Sequence, residues 1–355
     1  MKSGLGDFDQ AAVRKTPRLR RVLAVSTIAF FLSAVVACLG IFLYVSHNLT
    51  AVSGDHAAAP VAVSVPRGAT TRQIGGILVQ AKLIRSESFF AWYLRYKKED
   101  GLLRSGDYSL SPAQDLDSII AALRKGPLPV RITIPEGFNT QQIADLLAGQ
   151  KLIDKAKFLE AVRSYDFKFD FLQGLPQSDL RLEGFLFPAT YEIEKGTSEP
   201  QIIEMMLQRF EQELTPEVSN VIKQRGWTTA QFVTLASLIE KEAKEEVDRP
   251  VISQVFLKRL RIDMPLQSCA SIEFLLGHPK PILSYKDTEI KSPYNTYQNK
   301  GLPPGPIANP GHASLQAAAY PANTDYLYFV AKPDGYTAFA KTYAEQLQNE
   351  QKYLH

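Results

Sequence analysis

The sequence predicts an α+β protein preceded by a single membrane-spanning helix near the N-terminus. Three observations predict this: a charge-free segment over residues 22–45, a strand–turn–helix pattern that occurs twice, and helical segments alternating with short strand patterns in the second half. The 355 residues suffice for an anchor and two or three modest domains. The composition, 45% hydrophobic and 22% charged, is typical of a globular protein.

The charge-free segment spans 24 residues, or about 36 Å of helix, which is enough to cross a bilayer. A basic flank precedes it, made of Lys2, Arg14, Lys15, Arg18, Arg20 and Arg21. The positive-inside rule then predicts a cytoplasmic tail over residues 1–21 and an exit from the membrane near residue 46. We therefore expect a single-pass protein of the cytoplasmic (inner) membrane with a periplasmic domain.

Two alternatives apply to this segment. A cleaved signal peptide has a shorter apolar core of about 7–15 residues. A lipoprotein is suggested by Val35-Val36-Ala37-Cys38, which resembles a lipobox. The apolar run continues beyond the cysteine to Val45, which favours a spanning helix.

Composition and motifs also argue against several classes of function. A net charge of +3 is too small to indicate nucleic-acid binding. The five histidines form no His-x-x-x-His pair, and neither a P-loop nor a dinucleotide fingerprint occurs, so we expect no metal and no cofactor. The two cysteines are Cys38, in the apolar segment, and Cys269, so the outer domain has no internal disulfide to form.

A duplicated unit follows residues 46–60, whose small and polar composition predicts a flexible linker. Residues 63–84 and 132–153 share nine identities in 22 positions, and Phe89 and Phe158 extend the match. In each copy a short strand leads through a Pro-x-Gly turn into a helix. Turn and core residues account for most of these identities without any function.

Residues 61–130 nevertheless resemble a LysM-type module, a short βα unit that binds GlcNAc-containing glycans. Glycan binding by this segment is a hypothesis. Residues 131–355 form the predicted second domain, although the second repeat leaves the boundary open. We expect its helices near 200–225, 228–245 and 248–262, and strands near 186–193 and 326–331 that supply its sheet.

The helix over Thr228–Glu246 holds the most informative residue. Thr228 and Gln231 predict a capping box at its start. On a helical wheel Glu240 lies within about 40° of Val233 and Ala236, inside the apolar arc. Burial disfavours a charged carboxylate, and a protonated glutamic acid is what cleavage of a glycosidic bond requires. The alternative is an ordinary solvated helix end, because Lys241, Glu242, Glu245 and Glu246 follow.

Several motifs, in this order, resemble the MltG/YceG-like family of endolytic murein transglycosylases. The resemblance covers most of the chain after the anchor and is densest over residues 181–330. Its motifs are Leu182 to Tyr191, Leu235 to Glu242, Val255 to Leu260, Met264 to Ser268, Ser292 to Tyr297, and Gly301 to Gly311.

The resemblance implies that Glu240 is the catalytic acid and base of a lytic transglycosylase acting on peptidoglycan glycan strands. It also implies that Glu183 orients Glu240 or the sugar, or else caps a turn. Polar contacts to the sugar are expected from Gln267, Ser268, Tyr294, Asn295 and Thr296, and ring stacking from Tyr297. Cys269-Ala270-Ser271 departs from the Asp-Pro-Thr that often follows in the family, so the subsite at 267–271 is less defined.

Two rival functions remain. A lysozyme-type hydrolase needs a second carboxylate facing Glu240. A non-catalytic scaffold would bind peptidoglycan and wall-synthesis proteins through the repeats. The resemblance implies work near growing glycan, with penicillin-binding proteins as partners.

Overall fold

The computed structural model describes residues 17–353 except residues 56, 128 and 281–282, with side chains from residue 25 onward. Most of the predicted cytoplasmic tail, residues 1–21, lies outside this range. The chain divides into two compact units, Met1–Leu128 and Pro129–His355. Helices and strands are mixed in both units, which confirms the α+β class.

The first unit begins with the helix α1 (Pro17–Leu49). Among the described residues, α1 is the one helix long and apolar enough to cross a membrane, over Val25–Leu49 with a mean hydropathy of 2.6. The remaining elements surround a separate apolar core. They are β1 (Val61–Val65), α2 (Thr71–Gln80), α3 (Glu87–Tyr96), β2 (Gly106–Leu110) and α4 (Leu116–Lys125).

The second unit repeats this βααβα order and extends it. Its first elements are β3 (Val130–Thr133), α5 (Thr140–Gly149), α6 (Lys155–Ser164), β4 (Thr190–Ile193) and α7 (Glu199–Glu211). They are followed by α8 (Pro216–Gln224), α9 (Thr229–Glu242), α10 (Arg249–Arg261), α11 (Cys269–Leu276), α12 (Tyr285–Thr288) and α13 (His312–Ala319). The chain ends with β5 (Tyr328–Ala331), β6 (Thr337–Ala340) and α14 (Tyr343–Tyr353).

The duplicated segments share their local geometry, which confirms the predicted repeat. Both first helices begin with a capping box, formed by Thr70 with Gln73 and by Asn139 with Gln142. The same left-handed backbone occurs at a glycine in each turn and at a lysine after each helix: Gly68 with Gly137, and Lys82 with Lys151. Glycine suits the turn position because it carries no Cβ.

The repeat extends into strand pairing, which sequence identity does not reveal. Strand β1 pairs antiparallel with β2, and β3 with β4. Tyr108 and Tyr191 lie at equivalent positions of these ladders, opposite Val63 and Ile132. Each phenol donates a hydrogen bond to the carbonyl four residues earlier, at 2.5 Å and 2.6 Å. The second repeat is therefore an integral part of the second unit.

Two sequence expectations were wrong in detail. The single helix near 200–225 is two helices, because Pro216 starts α8 after a Thr215 cap and a proline inside a helix would interrupt its hydrogen bonds. The strands near 186–193 and 326–331 do not share a sheet. Strand β4 pairs with β3, whereas β5 forms a hairpin with β6 through a tight turn at Gly335.

Helix α9 runs through the core of the second unit. Its capping box at Thr228 and Gln231 is present as predicted. Residues from Phe232 to Ile239 are all buried, and α9 packs against α10, α11 and α13. This packing fixes the direction in which the last turn of α9 presents its side chains.

Candidate active site

Glu240 lies in the last turn of α9 with its side chain only 6% exposed, so its predicted burial is confirmed. The surroundings are more polar than the helical wheel indicated. The Oε2 atom of Glu240 accepts hydrogen bonds from Nη1 of Arg249 at 2.7 Å and from the backbone N–H of Gly311 at 3.0 Å. The carboxyl group is therefore held in one orientation within an otherwise apolar core.

Both partners of Glu240 come from helix N-termini. Arg249 is the first residue of α10 and is itself buried, with a second hydrogen bond to the hydroxyl of Ser314. Gly311 is the N-cap of α13, so its N–H has no acceptor within that helix and donates to the carboxylate instead. The positive end of the α13 dipole lies at the same place. These contacts suit the ionised form of Glu240, and the apolar packing around α9 keeps water away from it.

A second carboxyl group, that of Glu136, lies beside the same arginine. Its Oε2 atom is 3.9 Å from Nη2 of Arg249, and its side chain is half-exposed. Burial and the charge of Glu240 raise the pKa of Glu136, and Arg249 offsets part of that effect. A Cβ on Gly311 would come within 2.0 Å of the Glu136 carboxyl carbon, so a glycine there leaves room for it.

The Pro/Gly-rich loop over residues 301–311 forms a wall of this site. The N–H of Ile307 donates to the hydroxyl of Ser237 on α9 at 3.1 Å. Asn309 joins three segments, since its backbone and side chain bond to Phe138, and its Oδ1 accepts from the N–H of Leu186 at 2.8 Å. The loop therefore connects the β3–α5 turn to α9 and carries Gly311 to Glu240.

Glu183 is buried, 2% exposed, and lies beside Asn309 and the start of α5. Its carboxylate accepts hydrogen bonds from the N–H of Thr140, at 3.0 Å, and from Nδ2 of Asn309, at 3.2 Å. It thus satisfies the N-terminus of α5 and supports the loop that reaches Glu240. Burial raises the pKa of Glu183 to about 7, although hydrogen bonds from Thr140 and Gly184 oppose the rise.

We expect Glu183 to make the second unit less stable as pH rises from about 4.5 to about 7. In that interval the folded carboxyl keeps a proton that the unfolded chain releases, so stability falls by about 3 kcal/mol in total. Glu183→Gln should flatten this slope. Urea unfolding at a series of pH values, followed by Trp227 emission in a Trp92→Phe background, measures it. Equal slopes in both chains would exclude Glu183 as the titrating group.

The remaining predicted site residues form one cluster near the end of α9. The segment before α11 pairs with the segment at 294–297, because Gln267 N–H donates to the Thr296 carbonyl at 3.0 Å and Ser268 N–H to its hydroxyl at 2.9 Å. Glu242 fastens this cluster to α9 by accepting from the Ser268 hydroxyl and, at 3.3 Å, from the Ala270 N–H. The structure therefore brings the two motifs together.

Within this cluster the residues differ in exposure. Ser268, Asn295 and Thr296 are at most 1% exposed and use their polar groups on neighbouring protein atoms; Asn295 Nδ2, for example, donates to the carbonyls of Thr288 and Ile290. Gln267 is exposed and holds a left-handed backbone with φ 48°. Such strain in a non-glycine residue concentrates at functional sites.

The two tyrosines of the cluster are half-buried. The Tyr294 ring packs against Phe274, with centroids 5.1 Å apart, and burial raises its pKa. The Tyr297 hydroxyl lies 3.1 Å from Sγ of Cys269, the residue that departs from the family pattern. Sugar contact by Gln267, Tyr294 and Tyr297 remains a prediction.

Sequence reasoning missed Arg249, Glu136, Gly311 and Ser314. One signal was available for Arg249, because a cation at the first position of a helix opposes the helix dipole. Another was available for Glu136, because the first repeat has Arg67 at the equivalent position, and Pro-x-Gly geometry demands neither side chain. Gly311 and Ser314 gave no such signal.

The chain matches known proteins over most of its length. Residues 63–352 match the model of the YceG-like family. A protein of Bacillus subtilis (strain 168) named endolytic murein transglycosylase is 37% identical over 328 residues, which cover 89% of this chain and 90% of the relative. A protein of the same name from Streptococcus pneumoniae (strain D39) is 35% identical, covering 76% of this chain and 54% of the relative.

A solved structure supports the same assignment. The 2.6 Å crystal structure of a YceG-like protein from Listeria monocytogenes aligns with a TM-score of 0.56 and 37% identity, over 82% of this chain and all of that one. By its sequence and by its fold, the chain belongs to the YceG-like family.

Proposed function

We propose that this protein is an endolytic lytic transglycosylase that cleaves peptidoglycan glycan strands between MurNAc and GlcNAc, with Glu240 as acid and base. One observation carries the proposal: the buried Glu240 carboxyl is held by Arg249 and by the Gly311 N–H, in a chain of the YceG-like family. The curated relatives named endolytic murein transglycosylases support the reaction class.

In the first step, protonated Glu240 gives its proton to the oxygen that links MurNAc to GlcNAc. The bond to the MurNAc anomeric carbon breaks, GlcNAc leaves with a free hydroxyl, and an oxocarbenium-like state develops. In the second step, ionised Glu240 takes the proton of the MurNAc 6-hydroxyl. The oxygen of that hydroxyl bonds to the anomeric carbon and closes the 1,6-anhydro ring. No water is consumed, and the nucleophile is already part of the sugar, which lowers the entropic barrier.

Arg249 and the Gly311 N–H stabilise the Glu240 carboxylate that the first step leaves behind, and they hold it in place for the second step. Glu136 lies beside the same arginine, and its carboxyl group competes with Glu240 for the Arg249 guanidinium. We propose that Glu136 is a positioning residue that acts on Glu240 through Arg249.

For substrate binding we propose that Gln267 and Tyr294 contact the sugar directly and that Tyr297 stacks on a ring. Ser268, Asn295 and Thr296 support them from the buried side of the cluster. The charge-free helix within α1 would anchor the chain in the cytoplasmic membrane, with its N-terminus inside and the residues after about 46 outside. This location would bring the enzyme close to growing glycan, where penicillin-binding proteins act.

A second candidate function, a lysozyme-type hydrolase, has one observation in its favour. Glu136 supplies a second carboxyl group beside Glu240, and a hydrolase uses such a pair. The two reactions differ in their products, since only hydrolysis leaves reducing ends. The names of the curated relatives favour the transglycosylase.

The test incubates the full-length chain, in detergent, with uncrosslinked nascent glycan and identifies the products by mass spectrometry. Fragments with 1,6-anhydro-MurNAc ends support the transglycosylase. Reducing ends would replace it by the hydrolase. Intact glycan that is still bound would indicate the non-catalytic scaffold.

Glu136→Gln separates the two roles of Glu136. If Glu136 only positions Arg249, the variant should keep anhydro products and lose about 10-fold or less in rate, because Arg249 still bonds to Glu240. A loss of about 10³-fold in rate at every pH would instead identify Glu136 as a reacting group.

A further inference from the structure

The C-terminal end of α1 is held against the rest of the first unit by hydrogen bonds and apolar contacts. The Arg85 guanidinium donates to the carbonyls of His47, Thr50 and Ala51, at 2.7 Å, 2.6 Å and 2.6 Å. Val45 and Leu49 pack against the core of that unit. The segment 46–60, expected to be a flexible linker, therefore begins as helix and docked chain.

An aromatic surface starts where α1 would leave the bilayer. From Val22 to Tyr44 the charge-free run is about 33 Å long as a helix, slightly more than the hydrocarbon thickness, so Tyr44 reaches the outer boundary. The Tyr44 ring contacts Phe89 of α3 with centroids 5.8 Å apart. Phe89 in turn contacts Trp92 at 5.5 Å, and Trp92 stacks on Tyr96 at 5.7 Å.

Trp92 and Tyr96 are 50% and 72% exposed, although both are large and aromatic. Tryptophan and tyrosine favour the headgroup region of a bilayer, because their rings are apolar and carry one polar group. The nearby charges are largely compensated, since Lys97 pairs with Asp117 and Arg124 with Glu99. The surface is therefore better suited to insertion of its rings among lipid headgroups than to electrostatic binding of anionic lipids.

We propose that the face of α3 carrying Trp92 and Tyr96 lies in the headgroup region of the membrane that α1 spans. The inference rests on the proposed membrane anchoring. The first unit is then seated on the bilayer by two elements, the helix and this face. Exposed stacked rings can also bind sugars, and the glycan is the alternative occupant that the experiment addresses.

The test places the full-length chain in phosphatidylcholine vesicles with acyl chains brominated near the headgroup. The chain has two tryptophans, so Trp227→Phe leaves Trp92 as the sole emitter. We expect Trp92 to emit at a shorter wavelength than a tryptophan in water. We also expect its intensity to be about half of that in unbrominated vesicles. The matched Trp92→Phe chain keeps only Trp227, which packs partly buried against the core of the second unit, and it gives the reference quenching of a shielded tryptophan.

Flotation of the vesicles distinguishes membrane anchoring by α1 from headgroup contact by α3. A chain that floats without quenching of Trp92 overturns this inference and leaves the anchor intact. A chain that floats unquenched and changes its Trp92 emission on addition of soluble glycan fragments assigns the face to sugar instead. A chain that does not float refutes the anchor, and the inference with it.

Discussion

Glu240→Gln should lower the rate of glycan cleavage by about 10³- to 10⁴-fold, because one carboxyl serves both as acid and as base in the proposed reaction. The amide has nearly the same shape but can neither protonate the glycosidic oxygen nor accept the proton of the 6-hydroxyl. Glycan binding should persist, since the residues proposed to contact the sugar lie elsewhere. Formation of anhydro ends by the purified chain, quantified by mass spectrometry, measures the loss.

Two controls make this result interpretable. Glu204→Gln changes an exposed glutamate of α7 in the same way and should leave the rate unchanged. Glu240→Gln itself removes the nearest counter-charge of the buried Arg249 and leaves only the more distant Glu136, which destabilises the fold by up to about 3–5 kcal/mol. The double variant Glu240→Gln/Arg249→Met removes both charges, so it should fold and remain inactive. Full activity in either folded variant would exclude Glu240 as the acid.

Glu240 could be found from the sequence because its signal is local. Val233 and Ala236, which share its side of α9 on the helical wheel and are buried, lie within two helical turns, so helical periodicity relates them directly. The capping box, the repeat and the α+β class depend on patterns of similar range. Periodicity predicted one apolar side of α9, whereas the packing buries every residue from Phe232 to Ile239, including the polar Thr234 and Ser237.

The groups around Glu240 could not be found in this way, because Arg249 belongs to a separate helix and the others are distant in sequence. Gly311 is 71 residues away, and the turn of Glu136 precedes α9 by about a hundred. Such contacts depend on how loops cross, which no periodicity encodes. For the same reason the wheel indicated an apolar environment for Glu240, whereas the fold supplies an arginine and a helix N-terminus.

Buried polar residues were the other feature whose roles could not be predicted from the sequence. Ser268, Asn295 and Thr296 attract attention in a motif because they are polar, but a polar side chain can equally well satisfy backbone groups within the fold. Asn309, which joins three segments, drew no separate attention within its Pro/Gly-rich loop. Only coordinates distinguish a polar residue that faces the cleft from one that supports it.

Gly184→Ala should destabilise the second unit by about 3–5 kcal/mol, the sum of a backbone and a packing cost. Gly184 has φ +87°, and a Cβ there would lie 2.6 Å from the Pro306 ring and 2.7 Å from Val233. Both neighbours are buried, so neither can move aside cheaply. Urea unfolding followed by Trp227 emission, in the Trp92→Phe background, measures the loss.

The matched control is Gly174→Ala. Gly174 has a similar φ of +79°, but a Cβ there would meet nothing within 4 Å. It should therefore show the backbone cost alone, about 1–2 kcal/mol, and the difference between the two variants isolates the close approach to Pro306. Equal losses would mean that this approach is not tight. Since Pro306 belongs to the loop that carries Gly311 to Glu240, Gly184→Ala chains that do fold should also cleave glycan more slowly, whereas Gly174→Ala should not.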